Sequence, residues 1–74
     1  MAAVRTWSGA RLRALREHKG LTQEEFARLV PTSLTNVSRW ERGKVIPGAN
    51  MLVVLADRLE VAMEELYENG KEVA

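Results

Sequence analysis

Apolar residues along this chain recur at helical spacing, in short blocks set apart by glycine or proline. In the first block Leu12 and Leu15 stand three apart among arginines, which predicts a single buried stripe on a largely polar helix. Ser8 can cap this helix, and Trp7 and Leu12 have the spacing of a hydrophobic staple. The helix then runs to about Lys19, where Gly20 can supply the left-handed residue that ends it.

The second block opens on the clearest start signal in the chain. Thr22 and Glu25 form a capping box, with Leu21 and Phe26 as its staple. Phe26, Ala27 and Val30 make the inward face, and Pro31 stops the helix because the residue before a proline is pushed out of helical geometry. Gln23 falls in the first turn, beside unpaired backbone N–H groups where a phosphate could be held. Thr32 or Ser33 caps a third helix, in which Val37 and Trp40 face inward. Leu34, Thr35, Asn36, Ser38 and Arg39 are left on its other sides. Arg42-Gly43-Lys44 leaves this helix through a glycine turn. Two short helices joined by a tight turn, the second with a polar outer face, are the physical content of a helix-turn-helix unit.

Pro47 and Gly48 begin a fourth helix with Met51, Leu52, Leu55, Ala56 and Leu59 as its apolar residues. A fifth, short helix is expected over about Met63 to Glu68, carrying Leu66 and Tyr67. Val61 and Leu66 have staple spacing, but Ala62 is a poor cap. Five helices and no convincing strand predict an all-α bundle, a single domain over residues 1–74 with its core at about 8–68.

Composition narrows the function. The apolar share of 46% is that of a folded globular chain. There is no Cys, so neither a disulfide framework nor a thiolate metal site is available. No apolar run approaches the roughly 18 residues that span a bilayer, and the N-terminus lacks the apolar core of a signal peptide. A soluble, cytoplasmic protein is therefore expected. The formal net charge of +1 conceals an asymmetry: residues 1–44 hold nine basic and four acidic residues, and residues 45–74 hold two basic and six acidic ones. A basic N-terminal half suits a polyanionic partner.

No metal, cofactor or catalytic site is expected. His18 stands alone, without metal-ligand spacing around it. Neither a nucleophile–base pair nor a phosphate-cradling glycine loop is present. Glu64, Glu65 and Glu68 read as a solvated acidic face. Trp40 shares a face with Val37 and reads as core. Arg39 is the strongest candidate for base readout, because a guanidinium can bond O6 and N7 of guanine together. Thr35 and Asn36 can bond bases or phosphates, Leu34 can touch a thymine methyl, and small Ser38 lets the helix approach closely. Arg42 and Lys44 are candidate phosphate contacts, which add affinity but no sequence choice.

The run LRALREHKGLTQEEFARLV, then SLTNVSRWERGKVIP, then LADRLEVAMEEL closely resembles the Cro/repressor-type helix-turn-helix family, also called the XRE family. The likeness covers roughly Arg11 to Tyr67. Its most specific parts are Leu21-Thr22-Gln23-Glu24-Glu25, Val37 to Lys44, and Pro47. The resemblance implies a lambda-repressor-like fold in which the second helix crosses the phosphate backbone and the third enters the major groove. It maps Gln23 onto a phosphate- or base-contacting glutamine. It places the recognition face on Leu34, Thr35, Asn36, Ser38 and Arg39, with Thr32 and Ser33 at its start, and backbone contacts on Arg42 and Lys44. It also implies an ion pair between Arg16 and Glu41. Two departures stand out. Pro31-Thr32 replaces the family's Gly and apolar residue in the turn, and proline cannot adopt the positive φ of that glycine. Glu60 and Ala62 replace the usual Gly and Ser before the last helix.

These readings lead to a sequence-specific regulator of transcription, more simply a repressor than an activator, bacterial or phage-encoded. Its expected partners are operator DNA, a second copy of itself and RNA polymerase. Met51, Val54, Met63, Leu66 and Tyr67 are the candidate dimer residues. The rival reading is a protein-interaction module such as an antitoxin, gripping its partner through apolar residues of the fifth helix.

Overall fold

Helix starts in the N-terminal half form where a hydroxyl precedes a helix-forming run. The computed structural model describes Arg5 to Asn69; Lys71 and Glu72, counted above in the acidic half, lie outside the described residues. Helix α1 spans Gly9–His18, and the Ser8 hydroxyl accepts a hydrogen bond from the Arg11 N–H. Helix α2 spans Gln23–Leu29 with the full capping box: Thr22 Oγ1 accepts from the Glu25 N–H, and Glu25 Oε1 accepts from the Thr22 N–H. Helix α3 spans Leu34–Glu41, and its cap is Ser33, whose Oγ accepts from the Asn36 N–H. Each cap satisfies a backbone donor that the helix cannot pair internally.

Helix ends follow the same local logic. Gly43, at φ +72°, closes α3 in a Schellman motif: the Lys44 N–H reaches the Arg39 carbonyl at 2.9 Å and the Gly43 N–H reaches that of Trp40 at 3.2 Å. Gly20 ends α1 in the same way. Helix α4, Ala49–Leu59, repeats this closure with Glu60 in the left-handed conformation, at φ +57°. A side chain there is strained, since Cβ crowds the following carbonyl oxygen.

The turn at Pro31 closes without any positive φ. Val30 ends α2 in right-handed geometry, and the Thr32 N–H reaches back to the Ala27 carbonyl at 2.7 Å. Arg58 adds a tie from α4, its Nε donating to the Leu29 carbonyl at 3.1 Å. The turn is thus closed by a backbone bond of the same span as those after Gly20 and Gly43, with no left-handed residue, and by a side-chain tie from another helix.

The expected fifth helix is not formed. Met63–Leu66 makes a single 3₁₀ turn, and Tyr67–Asn69 continues as a strand, β2, antiparallel to β1 at Arg5–Trp7. The fold is therefore four α-helices and a small two-stranded ribbon among the described residues, not a five-helix bundle. Trp7 pairs with Tyr67, their rings meeting edge to face at 5.9 Å, and the Ser8 N–H takes the Leu66 carbonyl at 3.0 Å. That carbonyl would otherwise accept from the next helical turn. Only half of a capping box supports the 3₁₀ turn: Glu65 Oε2 accepts from the Ala62 N–H, but alanine has no oxygen to return the bond. A nucleus of one turn is costly, and pairing with β1 is the alternative that satisfies the same backbone.

Leu12, Phe26, Val30, Val37, Leu55 and Leu66 are fully buried and draw all four helices and the 3₁₀ turn onto one core. Trp7, Trp40, Leu52 and Leu59 complete it. Leu66 is thus a core residue, and unlike Met63 it cannot face a second copy of the chain. Tyr67 is half-buried against Trp7, while Met51 and Val54 are half-buried against the core.

Candidate nucleic-acid interface

Helix α3 turns one face to the core and leaves the other in solvent. Val37 and Trp40 are buried, and the Glu41 side chain is only 3% exposed. Helical geometry places Thr35, Arg39 and Arg42, at i, i+4 and i+7, along the opposite ridge, and all three are exposed. Leu34 and Ser38 flank this ridge on one side. Asn36 flanks it on the other, where its Nδ2 donates to Thr32 Oγ1 at 3.0 Å. Ser33 has its oxygen committed to the cap.

The cations of this region differ from most others in the molecule. Arg11, Arg13, Lys19 and Arg58 each lie within 4.0 Å of a carboxylate. Arg39, Arg42 and Lys44 have no such partner among the described residues. The other exposed arginines in that state are Arg5, at the β-ribbon, and Arg28, on α2. Unpaired cations on and just after α3 make a surface ready to receive anions.

A buried polar cluster mounts α3 on the other helices. Arg16 Nε donates to Glu41 Oε2 at 2.7 Å, and its Nη2 donates to Oε1 at 3.1 Å. This is a two-pronged pair between the end of α1 and the end of α3. Its Nη1 donates to the Leu21 carbonyl at 2.7 Å, holding the α1–α2 turn. Gln23 Nε2 donates to Glu41 Oε1 at 3.0 Å. The hydrogen-bonded Glu41 carboxylate raises the Arg16 pKa above its ordinary value, against the opposing effect of burial. The ion pair implied by resemblance is present. Gln23, eighteen positions before Glu41 in sequence, is brought to the C-terminal end of α3.

Two residues that position this surface escaped the reading of the sequence. A Cβ on Gly9 would lie 2.3 Å from the Glu41 carbonyl oxygen and 2.5 Å from that of Trp40. Only glycine allows α1 to approach the end of α3 so closely. The signal available was a glycine in the first turn of a helix, where it carries a conformational cost. Trp7, read as a staple, also donates its indole N–H to the Trp40 carbonyl at 2.9 Å. Nothing local to Trp7 points to that partner.

The helix-turn-helix domain model matches residues 9–69, and the chain belongs to this family, of the Cro/repressor or XRE type. It is 40% identical over 58 residues to an uncharacterized HTH-type transcriptional regulator, YazB, of Bacillus subtilis, covering 78% of this chain and 84% of that one. It is 36% identical over 63 residues to the HTH-type transcriptional activator BcrR of Enterococcus faecalis, covering 85% of this chain but 30% of that longer protein. Among solved structures, the P22 c2 repressor in complex with a synthetic operator superposes with a TM-score of 0.75 at 29% identity, covering 78% of this chain and 88% of the repressor. The restriction-modification controller protein C.AhdI of Aeromonas hydrophila superposes with a TM-score of 0.73 at 38% identity, with the same coverages of 78% and 88%.

Proposed function

We propose that this protein binds double-stranded DNA at specific sequences and regulates transcription, with α3 in the major groove. The observation that carries this reading is the exposed ridge Thr35–Arg39–Arg42, mounted rigidly over Val37 and Trp40 and carrying unpaired cations. In this reading Arg39 selects guanine, and Thr35 and Asn36 contact neighbouring bases or phosphates. Leu34 meets a thymine methyl, and Ser38 allows close approach. Thr32 and Ser33 lie at the groove edge. Gln23, Arg42 and Lys44 hold phosphates on either side. The P22 c2 repressor, of similar fold, is seen with operator DNA. Occupancy of an operator overlapping a promoter excludes RNA polymerase, and repression in a bacterial or phage-infected cytoplasm is the simplest output.

One recognition helix reads a short half-site, so the reading includes a two-fold pair of protomers. The surface proposed for that contact moves away from the 3₁₀ turn. Val45 and Ile46, which lead into α4, and Val53 on its second turn are exposed, the last two at 58%. No charged residue occurs from Val45 to Ala56. A two-fold contact sets each residue near its own copy or a neighbour's, and an uncharged surface opposes no like charges.

Selection of bound duplexes from a randomised pool tests the reading. A two-fold symmetric site with half-sites about 34 Å apart is the expected product. A single enriched half-site would remove the dimer and keep the DNA reading. Absence of enrichment at any salt would sink both and favour a protein partner.

A further inference from the structure

Glu41 accepts hydrogen bonds from two other helices at once, from Arg16 of α1 and Gln23 of α2. Its side chain is 3% exposed, and that of its partner Arg16 is 8% exposed. The Arg16 fork engages both carboxylate oxygens, which already compensates the buried charge. Oε1 nevertheless accepts a further bond, from Gln23 Nε2 at 3.0 Å. Gln23 is the first residue of α2 and only half-buried, so this bond ties a partly exposed side chain to a buried carboxylate.

We propose that Glu41 is a positioning residue for Gln23, holding its amide so that the second N–H is presented to a DNA phosphate beside Arg42. This inference rests on the DNA-binding reading above. A glutamine amide has two N–H donors that diverge in one plane. With one donated to Glu41, the direction of the other is set. The bond to a carboxylate is charge-assisted and fixes a flexible side chain before DNA arrives. Arg16 neutralises Glu41, so the anchor does not repel the phosphate. Arg42, the next residue after Glu41, is exposed and unpaired and supplies the cationic contact alongside. The pair would thus divide the work, the arginine through charge and the glutamine through direction.

The two contacts leave different signatures. A neutral amide releases no counterion, so losing it lowers affinity without altering the salt dependence. Losing a cation reduces the slope of log K against log salt by about 0.9. The experiment measures affinity for the selected duplex across a salt series in four proteins. These are the unaltered chain, Gln23→Ala, the paired replacement Arg16→Met with Glu41→Leu, and all three changes together. Replacing both charges by apolar residues of similar volume avoids leaving either one uncompensated, and thermal melts establish that each protein is folded.

Gln23→Ala is expected to weaken binding about tenfold at every salt with the slope unchanged. The paired replacement is expected to weaken it about three- to tenfold, and the triple change to match Gln23→Ala alone within about twofold. An unchanged affinity in Gln23→Ala or in the paired replacement overturns the proposal, as do losses that multiply in the triple change. Should the paired replacement not fold, NMR of the unaltered protein decides. One Gln23 Nε2 proton should be shifted from its free-glutamine position and protected from exchange, with the other shifting strongly on addition of duplex. Nε2 protons with the shifts and solvent exchange of a free glutamine overturn the proposal. If the unaltered protein selects no duplex, the DNA-binding reading itself has failed.

Discussion

Ser8, Thr22 and Ser33 each close a helix start with a side-chain oxygen, whereas Gly48 and Ala62, which open α4 and the 3₁₀ turn, make no side-chain cap bond. The two halves of the molecule also differ at their helix ends. Glycine takes the left-handed position after α1 and α3, and Glu60 takes it after α4. The N-terminal half is basic and the C-terminal half acidic. Local geometry is thus well satisfied where the proposed recognition surface stands. It is compromised where the chain contributes mainly Leu52, Leu55, Leu59 and Leu66 to the core. A half whose task is to fill volume tolerates weak caps, because packing supplies most helical stability. A half that, in the proposed reading, presents side chains to a groove at fixed positions does not.

The largest effects should come from breaking the buried ties of the N-terminal half. Arg16→Met alone leaves Glu41 as an uncompensated buried charge and should cost about 3–5 kcal/mol in denaturant unfolding. A loss under about 1 kcal/mol would show that the pair behaves as an exposed one. Gly9→Ala should cost about 1–3 kcal/mol by forcing α1 away from the Trp40 and Glu41 carbonyls. An unchanged midpoint would mean that α1 does not approach α3 as described.

Changes in the C-terminal half should act in the opposite direction and more weakly. Ala62→Ser restores the missing half of the capping box and should raise stability by about 0.5–1 kcal/mol. Glu60→Gly relieves the left-handed strain, which costs roughly 1–2 kcal/mol. It also frees more chain entropy on unfolding and gives up the exposed bond from Lys19 Nζ at 2.7 Å. A net gain below about 1 kcal/mol is expected. If either change destabilised the protein, the contrast between the halves would not rest on capping.

The smallest effect is a pH dependence. The Thr22 backbone N–H lowers the Glu25 carboxyl below its ordinary value of 4.5, and the hydrogen bond from Lys19 does the same for Glu60. A carboxyl lowered in the folded state contributes stability above its unfolded value, and that contribution is lost as pH falls through the folded one. The melting temperature should therefore decline below pH 4.5. Glu25→Gln should flatten that decline, and an unaltered pH profile would show that the capping box carries no charge-dependent stability. Both groups are exposed, so the change should be modest.

What could be read without coordinates was what short-range geometry controls. The caps at Ser8 and Thr22, a cap at Thr32 or Ser33, the glycine exits at Gly20 and Gly43, and the inward pair Val37 and Trp40 all depend on residues within about one helical turn of each other. The outer face of α3 was legible for the same reason: once Val37 and Trp40 are inside, Thr35 and Arg39 are outside. The pairing of Arg16 with Glu41 became legible only through resemblance to a family.

Tertiary structure alone decided the rest, because those choices depend on a partner distant along the chain. Met63 to Glu68 has helical spacing, yet the backbone of Arg5–Trp7 captures its last two residues as a strand. Leu66 looked available for a dimer until the core closed over it. The Pro31 turn closes with the help of Arg58 from α4. Gly9 matters because of two carbonyls on α3, and Gln23 is aimed by a carboxylate that packing brings beside it. A local pattern specifies which face of a helix is apolar, but only the assembled core determines what that face meets.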